Sequence, residues 1–301
     1  MIIISIAVYT IYILASDIPK LYDEFSNFDT IILFPALALI FFAYVIRGVR
    51  YKLLLNEINI DMSMKQSMIL FFTGLSLGMT PGKFGEVIKS TYLKKLYNHP
   101  ISKTAPVVFI ERYYDLVGIV AIALISIWTV DVDKTFLIVA SALMFIFLII
   151  GKQEKLVTWI LVQFKSISFF KKISEKLLEM YNIIHDLLNV KIYAKSFLLS
   201  VVAWMVESYG VYLIFQGFGI DLSFLLVITI FIVSSIIGAL SFLPGGIGVT
   251  EIGMTGLLIL NGVEQTQAIG VTLLTRLSTL WYSVILGLIA MRFMFKNPIL
   301  E

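Results

Sequence analysis

The chain has 301 residues, of which 59% are hydrophobic and 14% are charged, and its mean hydropathy is +0.96. Soluble domains are about 45–50% apolar and about 25% charged, so this composition excludes a soluble globular protein. The net charge of +3 is too small to indicate a nucleic-acid partner. Because the sequence contains no cysteine, disulfides, zinc–thiolate sites and thiol nucleophiles are also excluded. We predict a single all-α integral membrane domain over residues 1–301.

Six stretches are apolar and, at about 20 residues, approach the length that crosses a bilayer core as a helix. The first and fourth are short and imply local thinning of the bilayer or extension into their flanks. The first has no Lys or Arg ahead of its apolar run, so we interpret it as a retained helix rather than a cleaved signal peptide. The six predicted spans are residues 1–16, 31–49, 105–129, 134–150, 197–217 and 266–293.

Two further apolar stretches, residues 66–96 and 223–261, are each broken in the middle by proline and glycine. Non-helical backbone at membrane depth is tolerated only where protein or water covers it, so we predict a re-entrant helical hairpin for each stretch. A kinked spanning helix followed by an ordinary loop is the alternative. The two breaks read Pro81-Gly82-Lys83-Phe84-Gly85-Glu86 and Pro244-Gly245-Gly246-Ile247-Gly248.

The distribution of Lys and Arg predicts the orientation. With the N-terminus in the cytoplasm, the outer segments contain only Lys20 and Lys134, and Arg112 and Arg276 remain inside the membrane. Such a bias favours both termini in the cytoplasm and a location in the cell membrane. It also requires each hairpin to return to the side from which it enters. The cytoplasmic segments then hold the other cations, among them Arg47, Arg50, Lys52, Lys65, Lys83 and Lys89.

One arrangement occurs twice, at about residues 31–129 and 197–293: a span, a Pro–Gly hairpin and a span that carries an arginine. In the predicted orientation the first hairpin enters from the cytoplasm and the second from outside, so the two repeats have inverted topology. Inverted repeats with broken helices near the midplane are typical of secondary transporters. Between them, apolar residues at helical spacing in residues 151–196 predict an amphipathic helix on the inner leaflet or on the bundle.

Arg112 lies inside the predicted span 105–129. A charge at the bilayer centre costs roughly 2.5–3.5 kcal/mol on insertion scales, so it normally faces the protein interior and finds a partner. Asp115 is three residues after Arg112 and can pair with it, and Glu111 shares a helical face with Asp115. A permanent salt bridge that locks the bundle is the alternative to a functional role.

Arg276 lies about ten residues into the last span and has no acid within a helical turn. Its partner must come from elsewhere in the chain, and Glu251 and Glu207 are the candidates. An anionic ligand would serve equally well. As for Arg112, a structural salt bridge is the alternative.

The glycines of the two breaks permit positive φ and a close approach of the backbone. The helices that follow would point free N–H groups and positive dipole ends at the break, which suits an anion such as a lipid phosphate. Lys83 could add a positive charge there, although a lysine at the membrane surface is the simpler interpretation. The glycines are Gly82, Gly85, Gly245, Gly246 and Gly248.

Four motifs, taken in order, resemble the transmembrane flippase-like domain of lysylphosphatidylglycerol synthases and its stand-alone archaeal and bacterial relatives. The resemblance covers about residues 35–293 and implies a polytopic protein that moves phospholipids or polyprenyl-linked lipids between leaflets. Residues 1–301 include no soluble synthase domain, so synthase activity is not expected. Lys83 replaces the arginine that is frequent in the family, which keeps the charge but loses bidentate phosphate recognition. The motifs are Pro81-Gly82-Lys83-x-Gly85-Glu86, Glu111-Arg112-x-x-Asp115, Pro244-Gly245-Gly246-x-Gly248-Val249-x-Glu251 and Arg276.

We therefore predict a lipid flippase or transporter whose partner is a phospholipid or a polyprenyl-phosphate-linked lipid. Arg112, Arg276 and the five break glycines would contact the headgroup. Neither a catalytic residue nor a metal or other cofactor is predicted. One alternative is an integral-membrane enzyme of lipid or lipid-linked sugar metabolism that uses Glu111 and Asp115 as a metal or general-base pair. Another is a membrane partner of a separate glycosyltransferase or synthase. The charge-pair or proton-relay residues would be Glu86, Glu111, Asp115 and Glu251.

Overall fold

The computed structural model describes residues 9–10, 12–14, 16–129, 135–155, 157–159 and 171–296, and in these ranges all regular elements are helical. The predicted first span, residues 1–16, lies largely outside them, as does the side chain of Lys83. The α-helices are α1 (Ile18–Ser26), α2 (Leu33–Glu57), α3 (Met64–Leu75), α4 (Ile88–Tyr97), α5 (Ile101–Ser126), α6 (Thr135–Lys152), α7 (Lys171–Leu187), α8 (Val190–Gly217), α9 (Phe224–Leu240), α10 (Val249–Leu260), α11 (Gln265–Arg276) and α12 (Tyr282–Lys296).

Three helical stretches of the described chain are long and apolar enough to cross a membrane: Thr30–Glu57, Val190–Gly217 and Gln265–Met294. They contain the predicted spans 31–49, 197–217 and 266–293. The predicted spans 105–129 and 134–150 correspond to α5 and α6. An all-α membrane protein is therefore the fold, and the count of six crossings stays a prediction.

The long helices α2 and α8 pack against each other along the centre of the bundle. Small residues allow this close approach, as in membrane bundles generally. A Cβ on Gly210 of α8 would lie 2.9 Å from the carbonyl oxygen of Ala36 on α2, and a Cβ on Gly118 of α5 would lie 2.8 Å from Ser200 on α8. The backbones of α2, α8 and α5 are thus close enough for side chains of one to reach the next.

Several further helix contacts come in matching pairs. Helix α3 packs on α12 and helix α9 on α5, so in each predicted repeat the helix before the break meets the arginine-bearing stretch of the other repeat. Likewise, α4 packs on α5 and α10 on α11. The inverted relation of the two repeats stays a prediction.

Both Pro–Gly breaks interrupt their helices as the sequence predicts. The residue before each proline, Thr80 or Leu243, is extended, because proline disfavours helical backbone in the residue that precedes it. After each proline a glycine has a positive φ, +56° at Gly82 and +61° at Gly245, which a residue with a Cβ rarely adopts. That the hairpins are re-entrant stays a prediction.

The amphipathic segment packs on the bundle in its C-terminal part, through α7 against α5 and α6. The Tyr114 hydroxyl donates to the Leu187 carbonyl oxygen at 2.7 Å, and the Tyr181 hydroxyl donates to that of Gly151 at 3.3 Å. These residues of the segment lie on the bundle, and a contact with the inner leaflet stays a prediction. Residue 170 and the side chains of residues 171–175 lie outside the described part of the chain.

Candidate functional site

The two Pro–Gly breaks are in contact with each other. We call them the first break (Pro81–Val87) and the second break (residues 244–248). Met79, just before the first break, joins Ile247 of the second break and Leu280 in a buried apolar cluster. Segments 163 residues apart in the sequence, counted from Pro81 to Pro244, therefore form one centre.

Beside the second break, Arg276 is paired with Glu251. The Arg276 Nε lies 2.6 Å from Glu251 Oε1, and the two residues are 9% and 1% exposed. Of the two candidate partners from sequence, Glu251 is thus the one in contact, while Glu207 lies 2.5 Å from Arg47.

Both members of this pair also hold the backbone of the second break. Arg276 Nη2 donates to the Gly245 carbonyl oxygen at 2.6 Å, and Glu251 Oε2 accepts from the Gly248 N–H at 2.7 Å. The Tyr9 hydroxyl donates to Glu251 Oε1 at 2.9 Å. The pair therefore holds the backbone of the break at two points.

A π-helical turn, Leu277–Trp281, follows Arg276 directly. Such turns are rare and occur frequently at functional sites, because the wider helix misaligns backbone groups that regular helix would pair. The Tyr44 hydroxyl of α2 donates to the carbonyl oxygen of Thr279 in this turn at 2.6 Å. Helix α2 thus supports the turn that positions Arg276.

The first break carries the same combination of acid and arginine. Glu86, within the break, lies 3.0 Å from Arg112 Nη2 through its Oε2. Arg112 Nη1 lies 2.9 Å from Asp115 Oδ2, the pairing that the i, i+3 spacing predicts. In each half of the protein, an acid at or shortly after the break thus binds the arginine of the next long helical stretch.

Three further cations are buried around the first break, and sequence reasoning missed them. Arg47, Arg50 and Lys89 are 6%, 0% and 0% exposed, so the protein encloses them, and their position on the cytoplasmic side stays a prediction. Lys89 Nζ lies 2.6 Å from Glu111 Oε2 and 3.4 Å from Glu86. Glu111, predicted to pair an arginine, thus pairs a lysine.

Arg50 and Arg47 of α2 complete this network. Arg50 Nη2 lies 2.7 Å from Asp115 Oδ1, and Arg50 also hydrogen-bonds Ser200 of α8. The sequence did contain a signal for these buried charges. Arg47 and Arg50 are three residues apart and so share a helical face, as do Glu86 and Lys89. The predicted span ended at residue 49, just before Arg50, whereas α2 continues to Glu57 and carries both Arg47 and Arg50 inside the bundle.

The buried charges balance within each group. The first-break network contains four cations and four acids, and the second-break pair contains one of each. Aromatic rings enclose the cations further: Lys89 Nζ is 4.7 Å from the Tyr51 ring centroid, and the Arg47 guanidinium is 4.8 Å from that of Trp204. The first-break network consists of Arg47, Arg50, Lys89, Arg112, Glu86, Glu111, Asp115 and Glu207.

The protein itself occupies two of the N–H groups that the breaks offer to an anion. The Gly85 N–H donates to Thr80 Oγ1 at 2.6 Å, and the Gly248 N–H donates to Glu251. Gly246 packs against Gly238, since a Cβ at Gly246 would lie 3.1 Å from the Gly238 Cα. In this conformation a ligand would therefore have to displace internal contacts.

Glu111 and Asp115, the pair considered for metal or base chemistry, contact different cations. Glu111 is held by Lys89, and Asp115 by Arg50 and Arg112. Over the described residues, no group of three or more His, Cys, Asp and Glu side chains is placed to hold a metal ion.

Residues 2–287 match the profile of the family described as the lysylphosphatidylglycerol synthase TM region. The chain is 30% identical over 230 residues to a UPF0104 membrane protein of Methanocaldococcus jannaschii, covering 74% of this chain and 95% of that protein. It is 28% identical over 263 residues to a UPF0104 membrane protein of Methanothermobacter thermautotrophicus, covering 81% of this chain and 78% of that protein. A Pyrococcus horikoshii UPF0104 membrane protein is 28% identical over 271 residues, 81% of each.

Proposed function

Because the chain belongs to the lysylphosphatidylglycerol synthase TM-region family, we propose that it is a flippase or transporter for a lipid with an anionic phosphate headgroup. The lipid is a phospholipid or a polyprenyl-phosphate-linked lipid. One observation carries the proposal: at each of two touching Pro–Gly breaks, a buried acid is paired with an arginine of the next long helical stretch. The proposal assigns no catalytic residue to the chain.

The arginines supply the recognition chemistry. A guanidinium presents several N–H donors in a planar fork that matches phosphate oxygens, and charge-assisted hydrogen bonds of this kind are stronger than neutral ones. Arg112 and Arg276 already use this geometry on Glu86, Asp115 and Glu251. A headgroup phosphate binds by replacing a carboxylate at one arginine, next to a break whose glycines can change conformation.

The two breaks act as half-gates for alternating access. Each half of the protein contributes one break, one acid–arginine pair and one set of helix contacts that matches the other half. In inverted repeats, two structurally equivalent halves allow an inward-open and an outward-open state of the same protein. The proposal therefore includes six crossings, two re-entrant hairpins, both termini in the cytoplasm and a location in the cell membrane.

Cysteine labelling tests this topology, since the native chain has no cysteine. Phe84 and Leu243 are 55% and 45% exposed, one at each break, whereas Ile247 is 7% exposed and unsuitable. We expect a membrane-impermeant maleimide to label Phe84→Cys only from the cytoplasmic side and Leu243→Cys only from outside. Both variants should label in permeabilised cells, and the parent chain in neither condition. Labelling of both positions from one side would contradict the inverted repeat.

Reconstitution tests the transport itself. In vesicles containing fluorescent phosphatidylglycerol or fluorescent polyprenyl phosphate, the protein should accelerate movement of at least one probe between leaflets, measured by quenching with dithionite. Arg276→Lys keeps the charge but loses the planar fork, so we expect a roughly 10- to 100-fold slower rate, the equivalent of one charge-assisted hydrogen bond of about 1.5–3 kcal/mol.

Arg292→Lys is the matched control, because Arg292 is an exposed arginine of α12 outside both pairs. Its rate should equal that of the native chain. If neither probe moves faster than in protein-free vesicles, the proposed function is wrong. Equal rates for Arg276→Lys and Arg292→Lys would remove Arg276 from headgroup recognition.

A further inference from the structure

We infer that the Arg276–Glu251 pair couples lipid movement to protons, so that a headgroup with one negative charge crosses together with one proton carried on Glu251. The inference rests on the proposed function and adds its driving force. Its consequence is electroneutral transport, which responds to a pH gradient and not to the membrane potential.

The Arg276–Glu251 pair has no net charge and is enclosed by the protein. Arg276 and Glu251 carry opposite charges and are at most 9% exposed. Glu251 is the acid bound to Arg276, whereas Arg112 is bound to two acids, Glu86 and Asp115. A single protonation can therefore release Arg276, while a single protonation in the network leaves Arg112 paired.

Charge balance requires the proton. If an anionic headgroup bound Arg276 while Glu251 stayed ionised, the enclosed site would hold one cation and two anions. An uncompensated buried charge is strongly unfavourable, and buried ionisable groups usually change protonation instead. With Glu251 protonated, the loaded site contains the Arg276 cation and the headgroup anion, and its net charge is again zero.

The step balances in atoms and charge. On the side where the lipid binds, a proton from water forms an O–H bond with a Glu251 carboxylate oxygen, and the headgroup phosphate takes the place of that oxygen at Arg276. On the other side the headgroup leaves, the Glu251 O–H bond breaks, and the proton returns to water. The Arg276–Glu251 pair then forms again. No electron is transferred.

The groups that face Glu251 make it a suitable proton carrier. Arg276 approaches from α11, and Tyr9 and Tyr12 approach from the N-terminal segment. At the start of its own helix Glu251 accepts from the Gly248 N–H, and Tyr44 of α2 interacts electrostatically with Arg276. Arg276 is thus the cation bound to this carboxylate, and the tyrosines are neutral near pH 7.

Protonation also acts on the backbone of the second break. It removes the negative charge from the acceptor of the Gly248 N–H, and it frees Arg276, which donates to the Gly245 carbonyl oxygen. Gly245, Gly246 and Gly248 have φ of +61°, +66° and +88°, so this segment can adopt backbone conformations that residues with a Cβ rarely adopt. Loading the site with a proton and a headgroup therefore loosens the gate that must move.

The test uses the native chain in vesicles with fluorescent phosphatidylglycerol, a monoanion. One-to-one coupling predicts that a gradient of one pH unit enriches the probe about tenfold in the leaflet facing the alkaline side, since each unit is a factor of ten in proton concentration. A potential of 100 mV, set with potassium and valinomycin, should leave the distribution unchanged. An uncoupled monoanion would instead be enriched about 50-fold.

Glu251→Gln provides the matched variant, with Glu264→Gln, a helix-capping acid, as control. If Glu251→Gln folds, it should exchange labelled for unlabelled lipid but lose the pH-driven enrichment, while Glu264→Gln keeps it. If it does not fold, the measurements on the native chain decide. Radiolabelled inorganic phosphate should not enter the vesicles; its uptake would assign the site to a soluble anion and overturn the inference.

The two proposals fail differently. Lipid movement that follows the potential, or ignores the pH gradient, overturns proton coupling and leaves the flippase intact. Lipid that moves no faster than in protein-free vesicles under any gradient overturns the proposed function.

Discussion

Replacing Arg276 with glutamine is expected to lower the free energy of unfolding by about 3–5 kcal/mol, because it leaves the Glu251 carboxylate buried without its cation. Glu251 is 1% exposed, and the guanidinium that would be lost also binds the Gly245 carbonyl oxygen. Thermal or denaturant unfolding in detergent measures the loss. The exposed Arg292→Gln is the control and should change stability by less than about 0.5 kcal/mol.

The double variant Glu251→Gln, Arg276→Gln separates folding from function. It removes both charges and leaves two amides that can hydrogen-bond each other, so most of the lost stability should return. Lipid movement should nevertheless stay at the rate of protein-free vesicles, since no cation remains at the second break to bind phosphate. Full transport by the double variant would show that the pair is a structural salt bridge only.

Replacing Lys89 with methionine should also lower the free energy of unfolding by about 3–5 kcal/mol. Lys89 is fully enclosed, and its Nζ lies 2.6 Å from Glu111 Oε2 and 3.4 Å from Glu86 Oε2. Methionine fills much of the same volume, so the loss reports the missing charge rather than a cavity. The double variant Lys89→Met, Glu111→Gln should recover part of the stability.

Lys94→Met is the matched control for Lys89, because Lys94 lies on the same helix, α4, and is exposed. The same unfolding measurement applies to all three variants. If Lys89→Met were no more destabilising than Lys94→Met, the first-break network would contribute nothing measurable to stability.

Features that depend on neighbouring residues were predictable from the sequence. The composition indicates a membrane protein, and Pro81 and Pro244 mark helix breaks, since proline lacks a backbone donor and glycine admits positive φ. The Arg112–Asp115 contact follows from i, i+3 spacing on one helix. The ordered motifs also indicated the family to which the chain belongs.

Features that depend on which helix faces meet were not predictable in the same way. The choice of Glu251 over Glu207 for Arg276 joins residues on different helices, and spacing along one helix carries no information about it. Arg47 and Lys89 were assigned to cytoplasmic segments because Lys and Arg near the ends of apolar segments usually mark the inner side of the membrane. Glu207 on α8 and Glu111 on α5 supply the charges that allow their burial.

The sequence by itself thus determined the membrane class, the helical elements, the positions of the two breaks and the presence of charges that need partners. Only the tertiary structure decided that the breaks touch and which acid neutralises each cation. The physical reason is that helix formation and its interruption are local properties of the backbone. Burial and ion pairing arise instead from the packing of helices distant in the chain, where an enclosed charge is stable only beside its opposite.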